Sequence, residues 1–328
     1  MGDPLATSKR ALKHTEESSA SDKVWDSVGW LALVGGYIGL ICCVVILHGQ
    51  TPFEVGSVSP LWVWASGLMA TLGLGRVSKR FVHMAAPLSP VALVLMVEAL
   101  LILYNVPMGL MPTPSRVLMT LWNTKEVLLQ DAKITLGCEA LVGLIAGTLF
   151  GTAFGLLVVR FRFLESGMLP YASLLSSVPI VALAPVIVKT FGLEWTSKAI
   201  IVAITVFFPV LINVVRGLKQ TNPLALDLMR SYAATPSEIF LKLRVPTALP
   251  FFFNALRLAT TLALIGAIVG EFFGTTGQGL GFRIQIEAGR FNLDIVWAAI
   301  WITAVLGVCC DQGVQLLERR LTRKISSE

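Results

Sequence analysis

The chain has 328 residues, 55% of them hydrophobic and 14% charged, with a mean hydropathy of +0.76. A soluble domain carries roughly a quarter charged residues, so this composition excludes a soluble globular protein and indicates a polytopic membrane protein. The net charge of +6 does not indicate nucleic acid, because the basic residues are scattered between apolar runs and form no stripe.

Residues 1–27 are polar, rich in Ser, Lys and Glu, and predict a disordered tail without the pattern of a cleavable leader. Residues 28–47 predict a first span of about the ~20 residues a bilayer needs. A short outer loop, 49–60, leads to a shorter, Gly-rich second span, 61–75, and then to basic residues 76–81. The third span is 87–106. Residues 107–133 hold Pro112 and Pro114, then Val117, Leu118, Leu121 and Trp122, an amphipathic pattern predicted to lie along the outer interface. The fourth span, 134–159, carries Gly143, Gly147, Gly151 and Gly155, a stripe that lets another helix approach closely. The fifth, 169–191, is broken by Pro179 and Pro185. The sixth is 199–215, the seventh 249–273 and the eighth 293–314, with basic Arg319, Arg320, Arg323 and Lys324 near the carboxyl end.

Between the sixth and seventh spans lies a polar, basic segment, 222–250, that reads as two short helices and a turn. Leu224, Leu228 and Tyr232 are spaced by four and share a face of the first helix. The second opens with Thr235, Pro236, Ser237 and Glu238, the signature of a capping box with Pro in the first helical position. It runs through Ile239, Phe240 and Leu243 and is predicted to close at Pro246.

Charge placement orients the spans. With the amino terminus cytoplasmic, the inner segments hold 18 of the 26 Lys and Arg and the outer segments 6, with Lys189 and Arg257 inside spans. This places both termini and the segment 222–250 in the cytoplasm.

The hairpin spacing resembles the coupling loop of permease subunits of binding-protein-dependent ABC importers. That pattern is Glu-Ala-Ala, three residues, Gly, nine residues, Ile, one residue, Leu-Pro. Here Asp227, Leu228 and Met229 stand at the first triplet, Ala233 at the Gly, Leu243 at the Ile, and Val245-Pro246 at the Leu-Pro. Ala248, Leu249 and Pro250, with Leu256, Arg257, Leu258 and Ala259, look like the nitrate, sulfonate and taurine branch. Ala233 is the chief departure, because the Gly serves a turn with positive φ. The resemblance covers about 87–320. It implies an all-α, polytopic fold: a six-helix type I ABC importer core at 87–320 with coupling loop 222–250. To this are added about two extra N-terminal transmembrane helices at 28–86 and a cytoplasmic tail at 321–328. It implies ATPase-coupling residues at Asp227, Ala233, Ala234, Thr235, Pro236, Glu238, Phe240, Leu243 and Pro246. It further implies cytoplasmic ABC ATPase subunits that carry ATP and Mg, a periplasmic or extracellular solute-binding protein, a second copy of the chain, a small solute and a lipid environment in the bacterial inner membrane. The Gly-rich run 274–281 reads as a flexible turn between two spans, and the resemblance puts Gly279, Leu280 and Gly281 on the outer side near the docked binding protein.

No chemistry of the chain's own is indicated. Gly-Lys occurs nowhere, so no P-loop is present, and no cofactor is expected in this chain. His14, His48 and His83 pair with no Ser or Cys set, and Cys42, Cys43, Cys138, Cys309 and Cys310 read as small buried hydrophobes rather than metal ligands. The remaining candidates are polar groups in apolar spans. Ser176, Ser177, Pro179 and Pro185 mark a broken helix that either lines the translocation path or is kinked for packing. Glu98, near the middle of the third span, reads as a structural pair or a pathway group. Glu139, Glu271, Lys189 and Asp311 lie toward span ends, and Arg257 with Lys189 would attract an anionic solute. The expected function is the membrane subunit of an ABC importer for a small, anionic or sulfonate- or nitrate-like solute. The alternatives are a secondary transporter driven by an ion gradient through Glu98 and Glu139, and a scaffold whose hairpin recruits a soluble protein.

Overall fold

Apolar runs in a membrane must satisfy their own backbone, and helices do this within a single segment. A computed structural model describes residues 31–47, 60–77 and 82–326, and every regular element among them is helical. The predicted tail 1–27, most of the loop 49–60, and Lys79 and Arg80 lie outside the described residues. Chain contacts divide the protein into two units, 1–119 and 120–328.

The first unit contains α1 (Leu31–Leu47), α2 (Pro60–Val77) and α3 (Val82–Leu103), followed by the start of α4 (Pro114–Asn123). Small residues let α1 and α2 meet backbone to backbone: a Cβ at Gly36 would lie 2.7 Å from the Ala70 Cα. Leu33, Leu40, Ala70 and Ala92 form one buried cluster, and Cys43, Leu47, Val63 and Ala99 another. The Tyr37 hydroxyl donates to the Leu88 carbonyl and ties α1 to α3. Cys43 is a buried hydrophobe, as read from the sequence, and Cys310 is half-buried. Cys42, Cys138 and Cys309 instead lie on outward helix faces, where an apolar thiol suits hydrocarbon as well as a core.

The second unit begins with α5 (Lys125–Lys133), a π-helical turn (Ile134–Ala140) and α6 (Leu141–Arg160). These three form one helix of 36 residues. The segment predicted to lie along the interface therefore ends at α4, and α5 belongs to the fourth span. Then come α7 (Arg162–Ser176) and α8 (Ile180–Phe191), α9 (Trp195–Lys219), α10 (Pro223–Ser231) and α11 (Pro236–Ile239). A second π turn (Phe240–Arg244) leads into α12 (Val245–Phe273), which is followed by α13 (Leu280–Gly289) and α14 (Leu293–Ser326). Among the described residues, four helices are long and apolar enough to cross a membrane, and four shorter apolar helices accompany them, Leu31–Leu47, Leu61–Gly73, Leu88–Leu103 and Ile180–Phe191. Together these match the eight apolar runs of the sequence.

The core is α6, α9 and α12. On α9, Val202, Val206, Val210 and Val214 repeat every four residues and are buried. They face the glycine stripe of α6: a Cβ at Gly147 would lie 2.6 Å from the Ala203 carbonyl, and one at Gly155 2.8 Å from Val214. Two rows at the same spacing interlock, as ridges and grooves do. Ala255, Ala259, Ala263 and Ala267 of α12 join the same buried cluster as this valine row. The fifth span is broken at one of the two predicted prolines: α7 stops at Ser176 and α8 begins behind Pro179, which has no N–H to continue a helix, whereas Pro185 sits inside α8 without breaking it.

Candidate functional site: a capped hairpin and a buried polar corner

The hairpin 222–246 is built by local rules. Asn222 caps α10, its side-chain oxygen accepting from the Leu224 N–H at 2.9 Å, and Pro223 takes the first helical position. At the other end Ala234 N–H donates to the Met229 carbonyl and Ala233 N–H to the Arg230 carbonyl. This is the closure that places the intervening residue in the left-handed region. Ala233 occupies it with φ of +54°. The turn is thus the one glycine would favour, made with a residue that has a Cβ.

Thr235 and Glu238 complete the capping box. Thr235 Oγ1 accepts from the Glu238 N–H at 3.3 Å, and Glu238 Oε2 accepts from the Thr235 N–H at 2.9 Å. Lys242 Nζ lies 3.2 Å from the same carboxylate. The Thr235 N–H and hydroxyl, helped by Lys242, hold the Glu238 carboxyl down at about 2. Asp227 pairs with Arg230 at 3.5 Å on the exposed side of α10.

Leu224 (78% exposed), Leu228 and Tyr232 (80%) project together from α10. Phe240 packs in the opposite direction, against the α6–α9–α12 core, and Leu243 is half-buried. The hairpin therefore presents an apolar face while rooted in the core. Pro246 does not end the second helix, contrary to the sequence expectation. The helix runs without interruption from Pro236 to Phe273. The π turn at 240–244 widens the helix just ahead of Pro246, which accommodates the ring and the missing donor.

The other candidates are distributed. Ser176, Ser177 and Pro179 are exposed at the break between α7 and α8, and Pro185 is half-buried within α8. Arg257 is committed to an ion pair: its Nε donates to Asp311 Oδ1 at 3.0 Å, and Gln315 donates to the other carboxylate oxygen at 2.7 Å. The pair joins α12 to α14 and is 39% and 36% exposed. Lys189 is exposed near the end of α8. Glu98 is buried in α3, in the first unit.

Spacing did not reveal a buried polar corner where α12 meets α13. The first N–H groups of a helix have no partner within it, and those of α13 are met by side chains from two other elements. Asp131 Oδ1 accepts from the Gly279 N–H at 3.0 Å, and Thr135 Oγ1 from the Leu280 N–H at 2.9 Å. Glu271 Oε2 accepts from the Gly281 N–H and, at 3.4 Å, from the Phe282 N–H. The Thr135 hydroxyl donates to Glu271 Oε1 at 2.6 Å, and Arg283 Nε donates to Asp131 Oδ2 at 2.8 Å. Carboxylates at a helix N-terminus also suit its dipole. A Cβ at Gly281 would lie 2.7 Å from both Glu271 Oε2 and the Ile268 carbonyl, and one at Gly279, where φ is +118°, would meet the Glu271 carboxylate. The run 274–281 is therefore pinned at Gly279 and Gly281, not loose throughout. Lys198 lies in the first turn of α9, buried, its Nζ donating to the Leu193 and Glu194 carbonyls. The sequence signals for this corner were the acids Glu139 and Glu271 at span ends and the Gly-rich run 274–281.

No cluster able to hold a metal is present among the described residues. Residues 143–323 match the family model described as "Binding-protein-dependent transport system inner membrane component". A probable ABC transporter permease of Haemophilus influenzae is 33% identical over 73% of this chain and 97% of its own. A formylaminopyrimidine transport permease of Halalkalibacterium halodurans is 32% identical over 65% and 84%, and a putative aliphatic sulfonates transport permease of Bacillus subtilis 29% over 75% and 89%. Among solved structures, the methionine ABC transporter in inward-facing conformations matches 62% of this chain and 98% of its own at 18% identity, with a TM-score of 0.50. The helical fold is thus that of an ABC importer permease, and the chain belongs to the binding-protein-dependent transport system inner membrane components: it is a multi-pass permease subunit of an ABC importer.

Proposed function

We propose that the hairpin 222–246 is the surface on which a separate ABC ATPase acts, and that the chain forms the translocation path for a small anionic solute. The observation that carries the first part is the arrangement of α10. Its apolar face of Leu224, Leu228 and Tyr232 is exposed beside a rigid capped turn, and the helix that follows continues into the core. An exposed tyrosine on a fixed support is a common anchor of a protein interface, and the leucines beside it extend the apolar contact. The hairpin lies on the cytoplasmic side by the bias of basic residues, where ATP and Mg would be held by the partner. Binding of ATP would move two hairpins, one from each copy in a permease pair, and bias the core between inward- and outward-open states. A solute-binding protein would deliver cargo at the outer face.

The break at Ser176, Ser177 and Pro179, with Pro185 inside the helix that follows, supports a path there, because such breaks face protein or water and not lipid. Glu98 and Arg257 belong to the same proposal, with Arg257 acting through or against its Asp311 partner. Sulfonate, taurine and bicarbonate permeases among the relatives favour an anionic cargo. Reconstitution of the chain with its ATPase and binding protein tests this reading. Tyr232→Ala together with Leu228→Ala should abolish ATPase co-purification and uptake while the permease still inserts. Uptake that survives ATP depletion and collapses with the proton gradient would instead establish a secondary transporter.

A further inference from the structure

One buried carboxyl at the α12–α13 corner has no role in holding the backbone. Glu139 sits in the first π turn, 1% exposed, and its Oε2 has no hydrogen-bond partner. It lies against the fully buried Glu271 carboxyl, close enough for a hydrogen bond between them. Two ionised carboxylates cannot make that bond, since neither has a donor. Glu271 already accepts from the Thr135 hydroxyl and the Gly281 and Phe282 N–H groups. Those donors suit an ionised carboxylate, whereas Glu139 has none and would be a bare buried charge beside a like one.

The charged neighbours point the same way. Asp131, from α5, is matched by Arg283 of α13. Lys198, from α9, is 1% exposed and turns its ammonium to the Leu193 and Glu194 carbonyls, with the Glu194 carboxyl and the Cys138 thiol also nearby. Glu194 is exposed to solvent, so within the buried part of the corner one positive charge, Lys198, faces two carboxyls. A single proton on the pair brings the local charge to zero. The π turn contributes as well, since it carries both Thr135 and Glu139 into the corner, and such turns recur at functional positions.

We propose that Glu139 and Glu271 form a proton-binding site, in which a protonated Glu139 donates a hydrogen bond to the Glu271 carboxylate and locks the α12–α13 corner. With the proton present, Glu271 is free to hold the Gly281 and Phe282 N–H groups. Releasing it transfers the proton from the Glu139 carboxyl to water, with no other bond made or broken. Two repelling carboxylates then remain, and the grip on α13 loosens. The site makes no use of the hairpin or of the cargo, so it stands or falls apart from the coupling proposal.

Infrared spectra of the full chain in lipid vesicles at neutral pH test the proton itself. A carboxylic-acid C=O component present in the wild type should disappear in Glu139→Gln and persist in Glu98→Gln; an undiminished band in Glu139→Gln overturns the proposal. Amide exchange tests the lock. Glu139→Gln keeps a donor toward Glu271 and should leave Gly281 and Phe282 protected, whereas Glu139→Ala should speed their exchange roughly tenfold. Protection along α6 and α9 reports that the variant is folded. Unchanged exchange of Gly281 and Phe282 in a folded Glu139→Ala protein also overturns the proposal.

Discussion

Ala233 shows how much a single dihedral can carry. A residue with a Cβ in the left-handed region is strained by roughly 1 kcal/mol relative to glycine. Ala233→Gly should therefore steady the hairpin by up to that amount, and Ala233→Val should destabilise it by more; both are read from amide exchange along 222–246. Removing the cap by Thr235→Ala should cost about 1 kcal/mol in the same measurement. The acid side of the capping box has a defined pH signature. Glu238 is held at about 2, below the ordinary carboxylate value near 4.3. Its contribution is complete above that ordinary value and is lost only as pH falls through about 2. Protection of the hairpin should stay flat from pH 7 to 5 and decline only in strong acid. These features were legible in the sequence because each depends on residues within five positions of one another.

At the scale of elements, the α6–α9 contact depends on the glycine stripe. Gly147→Ala should cost about 1–3 kcal/mol through overpacking against the Ala203 carbonyl. Gly137→Ala, where a Cβ meets open space, should be tolerated; thermal unfolding in detergent compares them. The stripe was readable because its spacing of four matches one helix face, although its partner, the valine row of α9, was not named by the pattern. The polar corner was illegible for the opposite reason. Gly279 and Asp131 are 148 positions apart, and no periodicity joins them. Pro246 was misread because a proline normally ends a helix, and nothing in the one-dimensional pattern announces a π turn that absorbs it.

Across the whole molecule, the Arg257–Asp311 pair ties α12 to α14 in a place where charge is costly. Single changes, Arg257→Gln or Asp311→Asn, should each lower uptake, and the exchange Arg257→Asp with Asp311→Arg should restore part of it if the pairing is what matters. Uptake by reconstituted vesicles decides. The Haemophilus influenzae relative is covered over 97% of its length by 73% of this chain, so a permease does not require everything present here. A chain lacking residues 28–86 should still recruit the ATPase, as measured by co-purification.

The helix that starts at the capped turn does not stop until Phe273, two residues beyond Glu271, and comprises 38 residues. At 1.5 Å per residue it is about 57 Å long. A rod of that length is sufficient to cross a bilayer, so under the proposed coupling a tug applied near Thr235 would travel to its far end along one continuous helix. The five residues of the second π turn and the interior proline, Pro250, are where it has some give. Stiffness there, more than contact anywhere else, would set how faithfully a push on one side becomes an opening on the other.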